Sequence, residues 1–203
     1  MIKPQFKDGE RALIIVAHPD DETIWLGGFI LSHPELHWTI FALCRASDRD
    51  RAPKFRRICQ ALGAQAIITD LDDEGKINEK QALSQIRSLI LKQLTRKGFN
   101  HIFTHGANGE YGHPRHKSVH SVVAKMAKKG ELKTKNLYFF NYKKASKYKL
   151  APKADSDLKF KLSAKIFSKK KALMTDIYGF ASNGIDANYC ANPEALKFLN
   201  IKS

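Results

Sequence analysis

The chain has no apolar run approaching the roughly 20 residues that a membrane-spanning helix needs. Its opening residues, Met1 to Asp8, hold no apolar segment of the kind a secretory signal requires, so no secretory signal is expected there. Cysteine is scarce. Cys44, Cys59 and Cys190 are odd in number and far apart, which argues against a disulfide framework and a Cys-x-x-Cys metal site and makes the reducing cytoplasm the expected compartment. No repeat or low-complexity tract is present. No Gly-x-Gly-x-x-Gly turn follows the first apolar run, which disfavours a dinucleotide-binding role. Acidic residues are also few: 20 Asp and Glu against 35 Lys and Arg leave a formal charge of +15. That excess suits anionic partners (phosphorylated or nucleotide-linked molecules, acidic lipid surfaces, nucleic acid) without selecting among them.

With 43% hydrophobic and 27% charged residues, the 203-residue chain reads as one globular domain over 1–203, with a core at about 10–142 and a basic elaboration at about 143–203. Ala12-Leu13-Ile14-Ile15-Val16-Ala17 is short, rich in β-branched residues and unbroken by polar ones, the pattern of a parallel strand buried on both faces. It delivers His18-Pro19-Asp20-Asp21-Glu22 to the carboxyl edge of a sheet, where α/β folds bind ligands. Thr23 to Leu31 then reads as a helix. An imidazole and three carboxylates within five residues are costly to hold together: the like charges raise one another's pKa or need a cation between them, and imidazole with carboxylate suits a divalent metal. The same acids also suit a helix N-terminus, as a cap and as favourable charges on the dipole.

Further strands are expected at His37–Cys44, Ala64–Thr69, Phe99–Thr104 and Asn136–Asn141. The helices between them start at Pro53 and Asn78, the second running to Lys97 and ended by Gly98. This alternation predicts an α/β, Rossmann-like three-layer fold with a mostly parallel sheet, plus a C-terminal strand and helix elaboration. In the elaboration, Leu158 to Ile166 alternates apolar residues with lysines and serine like a half-buried edge strand. Lys170 to Ile177 and Pro193 to Leu199 read as helices, and Tyr178 to Asn192 is left unassigned.

The fourth strand empties into a glycine-rich loop, His105 to His116. Pro114 fits a first helical position, which puts His116 and His120 on one helix face. Two clusters, His18/Asp20/Asp21/Glu22 and His113/His116/His120, therefore lie at the carboxyl ends of the first and fourth strands. In a doubly wound sheet those strands can be neighbours across the switch point, which would let the clusters meet. Three protein ligands with an open position is the arrangement of a catalytic zinc, whose water can lose its proton to a nearby carboxylate.

Ala17-His18-Pro19-Asp20-Asp21-Glu22 followed by Gly27-Gly28, with Gly112-His113-Pro114-Arg115-His116 downstream, resembles the LmbE/PIG-L de-N-acetylases. The likeness covers roughly residues 10 to 125. It implies metal-dependent removal of acetyl groups from N-acetylglucosaminyl compounds. It further implies His18, Asp21 and His116 as ligands of Zn2+ or another divalent ion, Asp20 as general base and acid, and a protonated His113 as donor to the oxyanion. Glu22 is expected to hydrogen-bond the loop, His120 to support or pack, and His33, His37 and His101 to be structural, while His105 receives no role. Arg115 stands where many relatives carry Asp, and the histidine such relatives have after Lys-x-x-Ala-Leu is missing beyond Leu173.

Arg45, Arg49 and Arg51, whose guanidinium forks suit phosphate, are candidate substrate contacts, or equally exposed residues bridged to Asp48 and Asp50, the commoner fate of such charges; Asp72 and Asp73 can accept sugar hydroxyls. The expected partner is a small N-acetylated sugar or glycoconjugate, modestly favoured as anionic. No nucleic acid is expected, peripheral membrane contact is allowed, and the oligomeric state is open. The rival readings are an amidase with the same metal site acting on a non-sugar amide, and a basic polyanion-binding protein with a vestigial metal site.

Overall fold

A computed structural model describes residues 5–95 and 98–201. The strands are β1 (Arg11–Val16), β2 (His37–Ala42), β3 (Gln65–Ile68), β4 (Gly98–Thr104), β5 (Lys133–Phe140), β6 (Tyr142–Ser146), β7 (Lys149–Pro152), β8 (Leu158–Phe160) and β9 (Glu194–Asn200). The helices are α1 (Asp21–Ser32), α2 (Arg51–Ala61), α3 (Glu79–Gln93), the single turn α4 (Gly109–Gly112), α5 (Pro114–Lys128), α6 (Ala164–Ala172) and α7 (Ile185–Tyr189). A π-helical turn, Leu173–Ile177, follows α6 directly.

Seven strands form one sheet in the order β3-β2-β1-β4-β5-β9-β8, parallel from β3 to β5 and antiparallel at β9 and β8. The unbroken apolar run of β1 is explained by two buried faces. Ala12, Ile14 and Val16 pack into one core with residues of α1 and α2, while Leu13, Ile15 and Ala17 pack into the other with residues of α3 and α5. The expected three-layer α/β architecture is thus present. β1 and β4 lie side by side, Ala12 opposite His101 and Ile15 opposite Thr104, so the loops after both strands open at the same edge.

Several boundaries differ from expectation. The helix begun at Asn78 has the reciprocal cap the sequence allows, with Asn78 Oδ1 accepting from Gln81 N and Gln81 Oε1 from Asn78 N. It ends at Gln93, and Gly98 opens β4 instead of closing the helix. Arg96 and Lys97, like Met1 to Pro4 and the last two residues, lie outside the described residues. The lysine-alternating segment is a strand only over Leu158–Phe160; Ser163 Oγ then accepts from Ile166 N at 3.3 Å and starts α6. Pro193 to Leu199 is not a helix. Residues 194–200 form β9, because pairing with β5 and β8 buries Glu194, Ala195 and Leu196 and overrides a helix-favouring local composition. The β6–β7 hairpin has no counterpart in the sequence reading, and α7 fills part of the unassigned segment.

One long-range latch ties this C-terminal part to α1. The buried Glu194 carboxylate accepts from Gly28 N at 2.8 Å and Phe29 N at 2.7 Å, and from Lys170 Nζ at 2.6 Å. A Cβ on Gly28 would come within 2.3 Å of Leu162 Cδ1, so the glycine lets the α6 approach lie close against α1.

Candidate active site

The stretch after β1 turns sharply. Asp20 takes φ 111°, a left-handed conformation that L side chains rarely adopt, and N-caps α1 without a side-chain capping bond. The turn sends the two adjacent aspartates apart. Asp21 is buried and faces the histidines, its Oδ1 accepting from Trp25 Nε1 at 2.8 Å and its Oδ2 from His18 N at 2.9 Å. Asp20 instead receives Arg51 NH1 at 2.9 Å on Oδ2. Glu22, fully buried, holds the turn by accepting from Asp20 N, Thr23 Oγ1 and Tyr178 Oη at 3.0, 2.7 and 2.8 Å. That is the loop-holding position expected of it.

The loops after β1 and β4 bring three donor atoms together. His18 Nδ1 and Asp21 Oδ2 are 3.3 Å apart, Asp21 Oδ2 and His116 Nε2 3.4 Å, and His116 Nε2 and His18 Nδ1 3.3 Å. Ligands of a tetrahedrally held zinc, each about 2.0–2.1 Å from the ion, lie roughly 3.3–3.4 Å from one another. Protonation fits at His116 and Asp21, whereas at His18 burial is outweighed by Asp21 and Asp73, which raise it to about 10, so a cation bound there must displace its proton. His116 Nδ1 lies 2.7 Å from Glu110 Oε2, so Nδ1 carries the proton, and burial holds the imidazole below its ordinary value; Nε2 therefore turns a lone pair to the triangle. Burial opposes the charge on Asp21, but His116 and His105 hold it well below the usual carboxylate range. These donors fit a divalent cation.

Behind the triangle lies a layer that sequence reasoning missed. Buried Glu110 also accepts from His105 Nδ1 at 3.0 Å and from Gly106 N at 2.7 Å. Its acid is pushed down to about 2, burial being outweighed by the two imidazoles. The His105 ring stacks on His116 with centroids 3.9 Å apart, and its Nε2 accepts from Ala17 N at 3.0 Å. Glu110 itself sits at φ 54°, a second strained residue at the site. A signal for His105 was present: it begins the loop after β4 just as His18 follows β1, on the adjacent strand. Glu110 carried none beyond its place in the glycine-rich loop. His120 Nδ1 donates to His105 O at 2.9 Å and its ring packs on Phe139, a supporting position as expected.

His113 N-caps α5, and its Nδ1 accepts from Arg115 N at 3.2 Å, which leaves the proton on Nε2. Burial, with His116 and His18 nearby, lowers it to about 4, which favours a neutral imidazole where the resemblance implies a protonated one. It lines a pocket of about 380 Å³ together with His18, Asp20, Asp21, Trp25 and Tyr111. Asp186 and Tyr189 of α7, from the unassigned segment, line the same pocket.

The expected substrate residues divide. Arg45 and Asp73 line the pocket, but Asp73 is engaged: Oδ1 lies 2.9 Å from His18 Nε2 and Oδ2 accepts from Arg45 NH2 at 3.2 Å. Burial works against its charge, yet His18 and Arg45 hold it down at about 2. Asp72 accepts from the N–H groups of Glu74, Lys76 and Ile77, closing its own loop, and with Arg49 lines a neighbouring, more open hollow. Arg51 lies in the pocket with its guanidinium 4.5 Å above the Phe180 ring. Five aspartates (Asp20, Asp21, Asp48, Asp73, Asp186) and two arginines (Arg45, Arg51) line that pocket.

Residues 13–127 match the family described as PIG-L, GlcNAc-PI de-N-acetylase. The chain belongs to the PIG-L family. It is 26% identical over 146 residues (64% of this chain) to an uncharacterized protein of Acanthamoeba polyphaga mimivirus. It is 24% identical over 134 residues (61% of this chain) to the N-acetylglucosaminyl-phosphatidylinositol de-N-acetylase of Bos taurus. The matched stretches span 61% and 53% of those relatives, so the chain covers between about half and three fifths of their length. Among solved structures, N,N'-diacetylchitobiose deacetylase from Pyrococcus horikoshii aligns with TM-score 0.68 at 12% identity, covering 95% of this chain and 85% of that one. The 4-carboxy-2-hydroxymuconate hydratase GalB from Pseudomonas putida aligns with TM-score 0.67 at 13% identity, covering 96% and 98%. These likenesses concern the fold, which carries more than one chemistry. The PIG-L match contains His18, Asp20, Asp21, His105, Glu110, His113 and His116, while Asp186 and Tyr189 of α7 lie beyond it.

Proposed function

We propose that the protein is a zinc-dependent hydrolase that removes the acetyl group from an N-acetylated amino sugar. The observation that carries this reading is the triangle of His18 Nδ1, Asp21 Oδ2 and His116 Nε2, with sides of 3.3–3.4 Å, two of whose members, His18 and Asp21, line the pocket. Two imidazoles and a carboxylate suit zinc, which when bound supplies Lewis-acid polarisation and makes a water easier to deprotonate. The chain's residues do the rest. Asp20, partly buried beside Asp21, is pushed well above the usual carboxylate range by desolvation and the Asp21 charge, with His18 and Arg51 opposing, which suits it to hold and return a proton. It removes a proton from the attacking water and delivers it to the amide nitrogen as the C–N bond breaks. His113 Nε2–H donates to the oxygen that becomes negative in the tetrahedral intermediate. The products are acetate and a free amine. Asp48, Asp73 and Asp186 face the remaining pocket and suit hydroxyls of a sugar ring.

No described helix is long and apolar enough to cross a membrane. The three cysteines are buried and unpaired, which accords with a proposed cytoplasmic location. The test is metal analysis of the purified protein coupled to an amine-release screen over N-acetylated sugars and non-sugar acetamides. Acetate and amine released in equal amounts from sugars alone supports the reading. Turnover of non-sugar amides only makes the protein a different amidase, and bound metal without any amide turnover overturns the hydrolase assignment.

A further inference from the structure

The β6–β7 hairpin stands apart from the main sheet as a two-stranded ribbon, and every residue from Lys143 to Lys149 is exposed. Ser146 pairs with Lys149, so Lys147 and Tyr148 form its two-residue tip. Lys143, Lys144, Lys147, Lys149 and Lys153 fall within eleven residues that contain no acid. A lysine-rich edge by itself is an ordinary guard against strand-to-strand aggregation. The aromatic at the tip is not explained that way. Tyr148 is 49% exposed, and Ile185 at the start of α7, 44% exposed, is the other large hydrophobic left open among the described residues. The two are not scattered. α7 packs against β7, and Asp186, next to Ile185, lines the pocket. β6 follows β5 at the carboxyl edge of the sheet, where Asn108 Nδ2 of the β4 loop donates to Tyr142 O at 2.9 Å.

We infer that this hairpin and the start of α7 form a docking surface for an anionic lipid bilayer, with Tyr148 and Ile185 entering the headgroup layer and the lysines contacting acidic lipids. Lysines near an anionic leaflet are attracted within a Debye length, and tyrosine prefers the membrane–water interface because its ring is apolar and its hydroxyl is wet. Nucleic acid fits less well: single-strand binding uses successive aromatics along a basic groove, whereas this surface offers one aromatic at a hairpin tip and an aliphatic side chain on the helix packed against β7. Docking here would hold the pocket mouth next to the bilayer. The inference rests on charge and exposure, independently of the reaction proposed above.

The test is sedimentation of the full-length protein with vesicles of phosphatidylcholine alone and of phosphatidylcholine mixed with phosphatidylglycerol, at low and high salt. A single-stranded oligonucleotide serves as competitor. Binding is expected only to the anionic vesicles and to weaken as salt rises. Each basic side chain at an anionic leaflet contributes roughly fivefold, so K143E/K144E/K147E/K149E should lower partitioning by about a hundredfold or more. Tyr148→Ser should weaken binding several-fold while leaving its salt dependence nearly unchanged. All five side chains are exposed, so melting temperature and amine-release activity on a soluble substrate should stay at the parent value. Equal binding to neutral vesicles, undiminished binding by the quadruple variant, or displacement from vesicles by a lower concentration of oligonucleotide than of anionic lipid would each overturn the inference.

Discussion

Glu110 Oε2 sits 2.7 Å from His116 Nδ1, so a carboxylate buried behind the pocket fixes which nitrogen of that imidazole faces Asp21 and His18. Such partners orient a ligand and raise its basicity. Glu110→Gln should therefore weaken zinc binding by about 10–100-fold while His116 itself remains. Competition titration with a chromophoric chelator measures the change, and an unaltered affinity would reduce Glu110 to a loop-packing residue.

The two aspartates should separate cleanly. Asp20→Asn is expected to keep its metal and lose about 10²–10⁴-fold in turnover, the range for a positioned acid–base group. Asp21→Asn should lose the metal as well. Metal content and single-turnover amine release on the same samples decide it, and metal loss in Asp20→Asn would exchange their roles.

On α5 the comparison is between histidines one turn apart. His116→Ala should empty the site, whereas His120→Ala, which removes only a bond to His105 O and contact with Phe139, should retain most of the metal. The reverse pattern would make His120 the ligand.

The Lys170–Glu194 pair is fully buried at 2.6 Å. Removing one partner strands a charge in the core, which costs about 3–5 kcal/mol. Lys170→Met should lower the denaturant midpoint accordingly, and K170M/E194Q should recover part of the loss. A single variant of parent stability would show that water or another group compensates.

A pH dependence of stability follows from His101. Burial beneath Phe6 and beside Tyr138 holds it below its ordinary value of 6.5, with Glu10 2.8 Å away opposing in part. The native protein takes up this proton less readily than the unfolded chain. The contribution is therefore complete above 6.5 and is lost as pH falls through the lowered native value. Melting temperature should drop between about pH 7 and pH 5, and His101→Gln should flatten that slope even though it lowers stability throughout. An equally steep slope in the variant would assign the effect to other groups.

Much of this site was legible because its parts obey local rules. β1 announced itself by having two buried faces, and the crowding of His18 with three carboxylates implied a cation. The strand–helix alternation allowed β1 and β4 to be neighbours, and they pair. What escaped depended on distant contacts. Glu194 to Leu199 has a helix former's composition and becomes a strand because β5 and β8 flank it and because the Glu194 carboxylate is needed by α1. His105 and Glu110 looked ordinary in sequence, since their importance lies in touching each other and His116. The substrate residues were the least readable, because Arg45 pairs with Asp73 and Arg51 with Asp20, partners contributed by other loops.

The Gly28–Glu194 bond also has a bearing on biosynthesis. Its partners are 166 residues apart, so the helix carrying Asp21 leaves the ribosome long before the carboxylate that secures its middle. The pocket is completed late in translation, and a nascent chain halted after β5 would hold every proposed metal ligand yet lack the clamp that keeps their helix in place.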